Sequence, residues 1–310
     1  MAFPIEDKLV VAVSSSALFD LTKEDEIFRN SGVEAFKTYQ REHRNEPPET
    51  GTAFPFIRRL LHLNKVFPDQ KPVEVVLLSR NDPEAGLRIM DAMPVHGLEI
   101  TRANFLSGVA PYPYLKAFNA VLYLSANAGE VKEAIDKGYP AGYVLPCRTK
   151  DDLGDTQLRI CFDFDGVIVD DEAEKVYKYE GLPLFHHHEL ENKDRPLRSG
   201  PLMPLLKRVS NLQRLERELP QRSNQEGGAI RVSILTARNA PAHERLITTL
   251  KEQDIEVDEL FLTGGVEKKN YLDIMKPNIF FDDQLGHLTP AAPNTPSVHI
   301  PFGIRNADQS

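Results

Sequence analysis

Asp163 and Asp165 stand on either side of one phenylalanine, where the apolar run Ile160–Phe162 gives way to Gly166. Packing alone does not explain two acids this close, because ionised carboxylates repel unless a cation or a proton lies between them. Their position, at the carboxyl end of an expected central strand, is where α/β sheets bind ligands. Three more strand ends carry complementary groups. Thr236 ends a strand that begins near Ser233, and the N–H groups of the residues after it lead toward a helix near Pro241, which makes an anion site. A lysine, Lys268 or Lys269, follows the short strand Glu259–Leu262 and can neutralise phosphate oxygens. Asp282 and Asp283 close the buried strand that starts at Ile279. Oxygen donors of this kind suit Mg²⁺, with Asp163, the backbone carbonyl of Asp165 and an acid from 282 or 283 in the shell.

These groups need a scaffold, and the chain repeats itself to build one. Leu9–Val13 followed by Ser14–Ala17 parallels Ile160–Phe162 followed by Asp163–Gly166. Val75–Asn81 parallels Ser233–Asn239 and Ala120–Ser125 parallels Asn278–Asp283, both at an offset of 158 (239 minus 81, 283 minus 125), and between them Phe105–Gly108 parallels Phe261–Gly264. Helical apolar spacing in Ala53–Asn64 recurs in Pro201–Leu212. Strands alternating with helices predict an α/β fold of two tandem halves, 1–150 and 156–310, each a parallel sheet flanked by helices. The polar stretch 148–155 links them.

The halves differ in chemistry. Where the second has Asp163, Asp165, Asp282 and Asp283, the matched blocks of the first have Ser14, Ser16, Leu124 and Ser125, so only the second can hold a divalent cation by carboxylates. A charged insertion, 171–228, follows the Asp163 loop and is expected to cover it as a cap. It includes His186, His187 and His188, which as consecutive residues cannot all face one ion and read as solvated cap surface.

The chain has 310 residues, 46 acidic against 37 basic, for a formal charge of -9, and lacks a Lys/Arg-rich run. That balance argues against a nucleic-acid partner. The amino-terminal stretch has no basic and apolar leader pattern, and no apolar run approaches the ~18 residues that span a bilayer, so a cytoplasmic protein without a membrane partner is expected. Cys147 and Cys161 are the only cysteines and read as small buried apolar groups.

The order Asp-x-Asp, Thr, Lys, Asp-Asp resembles the haloacid-dehalogenase-like phosphohydrolases throughout the second half. Over nearly the full chain, Val11–Asp20, Gly108 through Tyr114–Ala117, Leu122–Ala126 and Ile279–Asp283 resemble the cytosolic 5'-nucleotidase I family. The resemblance implies two Rossmann-like halves and hydrolysis of nucleoside 5'-monophosphates, AMP-like first, to nucleoside and phosphate through an aspartyl-phosphate. It makes Asp163 the nucleophile and Asp165 the general acid/base, with Thr236, Ala237 and Lys268 on the phosphoryl group. Asp163, Asp165, Asp282 and Asp283 would hold Mg²⁺. Lys268 is preferred to Lys269 because it lies 14 residues before Asp282 (282 minus 268), the family's register. Animal members have a small residue where this chain has Phe164, so fine substrate preference does not carry over.

Asp165 must keep its proton near neutral pH, which calls for an apolar or anionic setting that Phe164 and the cap could supply. A phosphatase of another small metabolite, such as a sugar phosphate, is the alternative, followed by a non-catalytic nucleotide-binding protein. Arg80 and Arg102 in the first half, with Arg238 in the second, are candidate substrate-binding residues, the first half then supplying nucleoside recognition. The substrate is a small molecule in each enzymatic reading, and homo-oligomer formation is left open.

Overall fold

The computed structural model describes residues 5–219 and 228–307. Its first five strands are β1 (Leu9–Val13), β2 (Val73–Ser79), β3 (Arg102–Phe105), β4 (Leu122–Ser125) and β5 (Ala141–Val144). The next five are β6 (Leu158–Phe162), β7 (Ile230–Thr236), β8 (Glu259–Leu262), β9 (Ile279–Asp282) and β10 (Ser297–His299). β1 and β9 are buried along their whole length, and β6 at every position but Arg159, as runs of Val, Leu, Ile and Phe must be when helices cover both faces. The architecture is α/β with a mostly parallel central sheet flanked by helices, consistent with a haloacid-dehalogenase-like fold.

All ten strands form one sheet, in the order β3-β2-β1-β4-β5-β10-β9-β6-β7-β8. Pairing is parallel except at the middle, where β5 and β10 run antiparallel with Val144 opposite Val298. The strands of the first half therefore point opposite to those of the second. Their carboxyl ends, and any ligand sites there, lie on opposite edges of the sheet.

Register corrects the repeat by one residue. Val13 lies opposite Leu77 and Leu124, and Phe162 lies opposite Ile234 and Phe281. Matching Val13 to Phe162 sets Ser79 against Thr236 and Ser125 against Asp282, an offset of 157 (236 minus 79). Ser79 Oγ accepts from Asn81 N at 3.1 Å, just as Thr236 Oγ1 accepts from Arg238 N at 3.2 Å.

The cover is smaller than the sequence suggests. The helices Glu172–Glu180 and Leu182–Glu191 form a pair above the second half, but Met203–Glu218 packs Leu205, Leu206, Val209 and Leu212 into the core. The loop 220–227, assigned to the cap from sequence, lies outside the described residues. The cap pair turns at Gly181 with φ 83° and ψ 177°, and the helix Thr22–Glu42 of the first half breaks at Gly32 with φ 80° and ψ -176°. Only glycine adopts this backbone without strain, so each half carries a helix pair hinged in the same way.

The link between the halves is gripped. Arg59 donates to Asp151 at 2.6 Å, and Arg58 donates to the same carboxylate at 2.8 Å. Cys161 is buried as expected, whereas Cys147 is only half-buried, its Sγ 3.8 Å from the carbonyl of Pro293.

Candidate active site

Asp163 continues the pairing of β6 with β9, donating its N–H to the carbonyl of Phe281 at 2.7 Å. Phe164 turns into the core, which leaves the acids on either side of it facing the other way. Asp282 ends β9, and Asp283 follows. The chain passes between these elements at Gly166, with φ 73°; a Cβ there would come 2.7 Å from Asp283 Oδ2. A side chain at 166 would thus be driven into the acid cluster.

Asp163, Asp282 and Asp283 bring carboxylate oxygens within 4.8 Å of one another, all buried. Lys268, the first residue of the helix Lys268–Met275 and 3% exposed, donates to Asp163 Oδ1 at 2.9 Å and to Asp282 Oδ2 at 2.6 Å. His287 adds a contact to Asp282 at 3.1 Å. Both oxygens of Asp283 are buried without a hydrogen-bond partner. Three carboxylates against one ammonium leave two negative charges in a dry place, and the orphaned acceptors of Asp283 complete an all-oxygen donor set. These residues fit a divalent cation.

The ionisation pattern agrees. Burial pushes the Asp163 carboxyl up to about 7, with Lys268 pulling it back and Asp282 adding to the rise. Burial also raises Asp283 well above the usual carboxylate range, reinforced by Glu174 and Asp282. Burial opposes ionisation of Asp282 too, but Lys268 and His287 overcome it and hold that acid low.

Thr236 and Ala237 line the same cavity, a space of about 330 Å³ that also touches Asp163, Asp165, Asn239, Gly264 and Gly265. Four of the sequence-assigned strand ends thus meet at one place.

Asp165 departs from expectation. Its carboxylate does not join the cluster; Arg238 donates Nε and Nη2 to its two oxygens, each at 2.7 Å. The expected apolar or anionic setting is replaced by a buried guanidinium. Phe164 supports that guanidinium instead of shielding the acid, its ring centre 5.4 Å from the Arg238 Cζ. Arg238 is thereby committed to the protein: its Nη1 reaches Glu189 of the cap and the Ala242 carbonyl. It borders the cavity, but the acids of the protein hold its donors.

Arg80 and Arg102 are not brought here. Arg80 follows β2 at the opposite sheet edge, where it donates to the Gly108 carbonyl at 3.0 and 2.6 Å. Arg102 opens β3 and pairs with Glu74 at 2.6 Å. β3 and β6 are first and eighth in the sheet, seven steps or roughly 34 Å apart at the usual strand spacing. The antiparallel seam keeps Arg80 away, because it turns the carboxyl ends of the first half's strands from Asp163, and the breadth of the sheet keeps Arg102 away.

Of the three histidines, His186 bonds Asn239 Oδ1 at 2.9 Å at the cavity rim, His187 faces solvent, and His188 meets Glu189 at 3.1 Å. They form no metal cluster among the described residues. Sequence reasoning missed Glu174, Tyr177, Gln284, His287 and Arg305, which all line the cavity. His287, five residues beyond Asp282, had a signal in that spacing; Arg305 had none.

A family model described as 5'-nucleotidase matches residues 1–307. Over 289 residues the chain is 31% identical to Cytosolic 5'-nucleotidase 1B of Homo sapiens, covering 91% of this chain and 47% of that protein. The chain spans about half the length of this curated relative. The crystal structure of histidinol dehydrogenase from Elizabethkingia anophelis aligns over 93% of this chain and 79% of its own, with 9% identity and a TM-score of 0.23, a likeness too slight to bear on fold or function. With the match running from the first strand through the tail beyond β10, the chain belongs to the 5'-nucleotidase family.

Proposed function

We propose that the chain is a Mg²⁺-dependent 5'-nucleotidase that hydrolyses nucleoside 5'-monophosphates to nucleoside and phosphate. The observation that carries this reading is the buried cluster of Asp163, Asp282 and Asp283 around Lys268 at a cavity open to the cap. Family membership supplies the class of substrate.

Asp163, Asp282 and Asp283 are the side chains that would hold Mg²⁺, with the Asp165 carbonyl beside them. When bound, the ion neutralises charge on the phosphoryl oxygens. Asp163 attacks phosphorus in line; a bond forms from its carboxylate oxygen to phosphorus, and the bond from phosphorus to the ribose 5'-oxygen breaks. Lys268, already against Asp163, and Thr236 with the Ala237 N–H hold the equatorial oxygens. Asp165 protonates the departing oxygen and later takes a proton from the water that attacks the aspartyl-phosphate, returning Asp163 and releasing phosphate. For that, one Asp165 oxygen must leave Arg238. The cap is placed to govern this exchange, because Glu189 holds the other side of the same guanidinium.

A cytoplasmic setting is part of the proposal, on the name of the human relative. No described helix is long and apolar enough to cross a membrane.

Phosphate release from a panel of nucleoside monophosphates and sugar phosphates, with Mg²⁺ and with a chelator, tests the reading. Mg²⁺-dependent release favouring nucleotides supports it; faster turnover of sugar phosphates, or release indifferent to chelation, overturns it.

A further inference from the structure

The tail beyond β10 is built into the site. Ile304 N donates to Asp171 Oδ2 at 2.8 Å, and Asn306 Nδ2 donates to the Asp283 carbonyl at 2.9 Å. His299 Nε2 lies 3.0 Å from both the Asp283 carbonyl and Asn306 Oδ1. One residue sits between the two anchors. Arg305 is held at the cavity wall, its Nε donating to Glu174 Oε1 at 2.7 Å, and that oxygen also accepts from Gln284 at 3.1 Å. Gly303 permits this path, with φ 75° and room for no Cβ beside Asp171.

Across from Arg305 is Tyr177 of the cap, 44% exposed and lining the same cavity. The Arg305 Cζ lies 5.8 Å from the centre of its ring, near the outer limit of a cation–π contact. Phe185 braces the ring from the side, edge-on, with centres 6.0 Å apart. A planar heterocycle between a ring and a guanidinium needs about 7 Å, two contact distances of ~3.5 Å. The Arg305 Cζ and the ring centre are closer than that, so the two walls have to part to admit a base, and they belong to the hinged cap and to the tail.

We infer that Tyr177 and Arg305 form the clamp that holds the nucleobase, stacking it between the phenol ring and the guanidinium while its phosphate lies on Asp163. This rests on the nucleotide reading above and names the groups that make it specific. The Tyr177 face accepts any base, and the Arg305 nitrogens not bonded to Glu174 offer donors to acceptor atoms on the base edge. Because the tail is pinned to the Asp283 carbonyl, the clamp stands at a fixed height above the acid cluster. That sets the span from base to phosphorus.

The test compares a nucleoside 5'-monophosphate with ribose 5-phosphate, the same ester without its base, on the full chain with Mg²⁺. Tyr177→Leu and Arg305→Ala are expected to raise KM for the nucleotide about tenfold or more, and far more than KM for ribose 5-phosphate, given the usual worth of base stacking. Tyr177→Phe keeps the stack and is expected to restore wild-type KM. Arg305→Lys keeps the charge toward Glu174 but not the planar face, and is expected to behave like Arg305→Ala; since it retains the ion pair, a folding defect cannot mimic the result. Parallel changes on both substrates, or none on the nucleotide, overturn the clamp. A wild-type enzyme that gains nothing from the base would overturn the nucleotide reading and the clamp together, and shows this before any substitution is made.

Discussion

Arg238 grips both oxygens of Asp165 at 2.7 Å and turns its remaining nitrogen to Glu189, in the helix pair above. Glu189 has no exposed surface and also accepts from Arg245 at 2.9 Å, so one acid separates two buried guanidinium groups. Glu189→Ala breaks both buried pairs at once and leaves Arg238 to Asp165 alone and Arg245 to Glu172. The expected loss is about 3–5 kcal/mol of unfolding free energy, read by urea denaturation. A loss under about 1 kcal/mol would mean that the pairs are screened as surface pairs are, and that the cap is not tied down through them.

Asp163→Asn keeps the shape of the cluster and removes the attacking oxygen. Phosphate release is expected to fall on the order of 10⁴-fold, the scale on which loss of a nucleophile acts, with the circular dichroism spectrum unchanged. If the purified Mg²⁺-loaded variant kept a tenth of wild-type turnover, the covalent route would be wrong.

Protons and the cation compete for the same oxygens. Burial holds the Asp163 carboxyl at about 7 in the fold, against an ordinary value of 3.8. A raised carboxyl binds its proton more tightly folded than unfolded, so without metal its contribution to stability is full below about pH 4 and is lost as pH rises through about 7. Mg²⁺ binds the ionised form and reverses that loss. The rise in Tm on adding Mg²⁺ over a chelator should therefore grow from pH 5 to about 7 and level off above it. A gain independent of pH would remove Asp163 from the ligand set.

Arg80 and Arg102 lie away from the Asp163 cavity, Arg80 on the other sheet edge and Arg102 seven strands off. Arg80→Ala and Arg102→Ala are expected to leave kcat/KM for nucleotides within about twofold, as substitutions remote from a site usually do. A tenfold rise in nucleotide KM in steady-state assays would return the first half to substrate recognition.

The strand ends are legible in the sequence because each is a short apolar run that stops at a group with a chemical reason to be there: Asp163, Thr236, Asp282. Only family register separates Lys268 from Lys269 in sequence; in the fold Lys268 turns inward, while Lys269 pairs with Asp273 on the surface. The one-residue slip in the repeat arises because alignment by similarity matches Arg80 to Arg238, whereas hydrogen-bond register matches Ser79 to Thr236. Direction at the seam is not legible at all. β10 has three residues, Ser297–His299, and its pairing is made by backbone groups that every sequence has. Asp165 reads as an acid among apolar neighbours because Arg238, 73 residues later, has no local mark of its bidentate role.

The seam between β5 and β10 has a meaning for the chain as an assembly. Cut at the linker, each half would end its sheet on a bare edge strand, with unpaired N–H and C=O groups open to any other strand. Joined, each edge is the other's cover, and the two halves relate as subunits of a head-to-head dimer fused in tandem. Losing the half that lacks the acid cluster would strip the other half of its neighbour and leave it a surface open to aggregation.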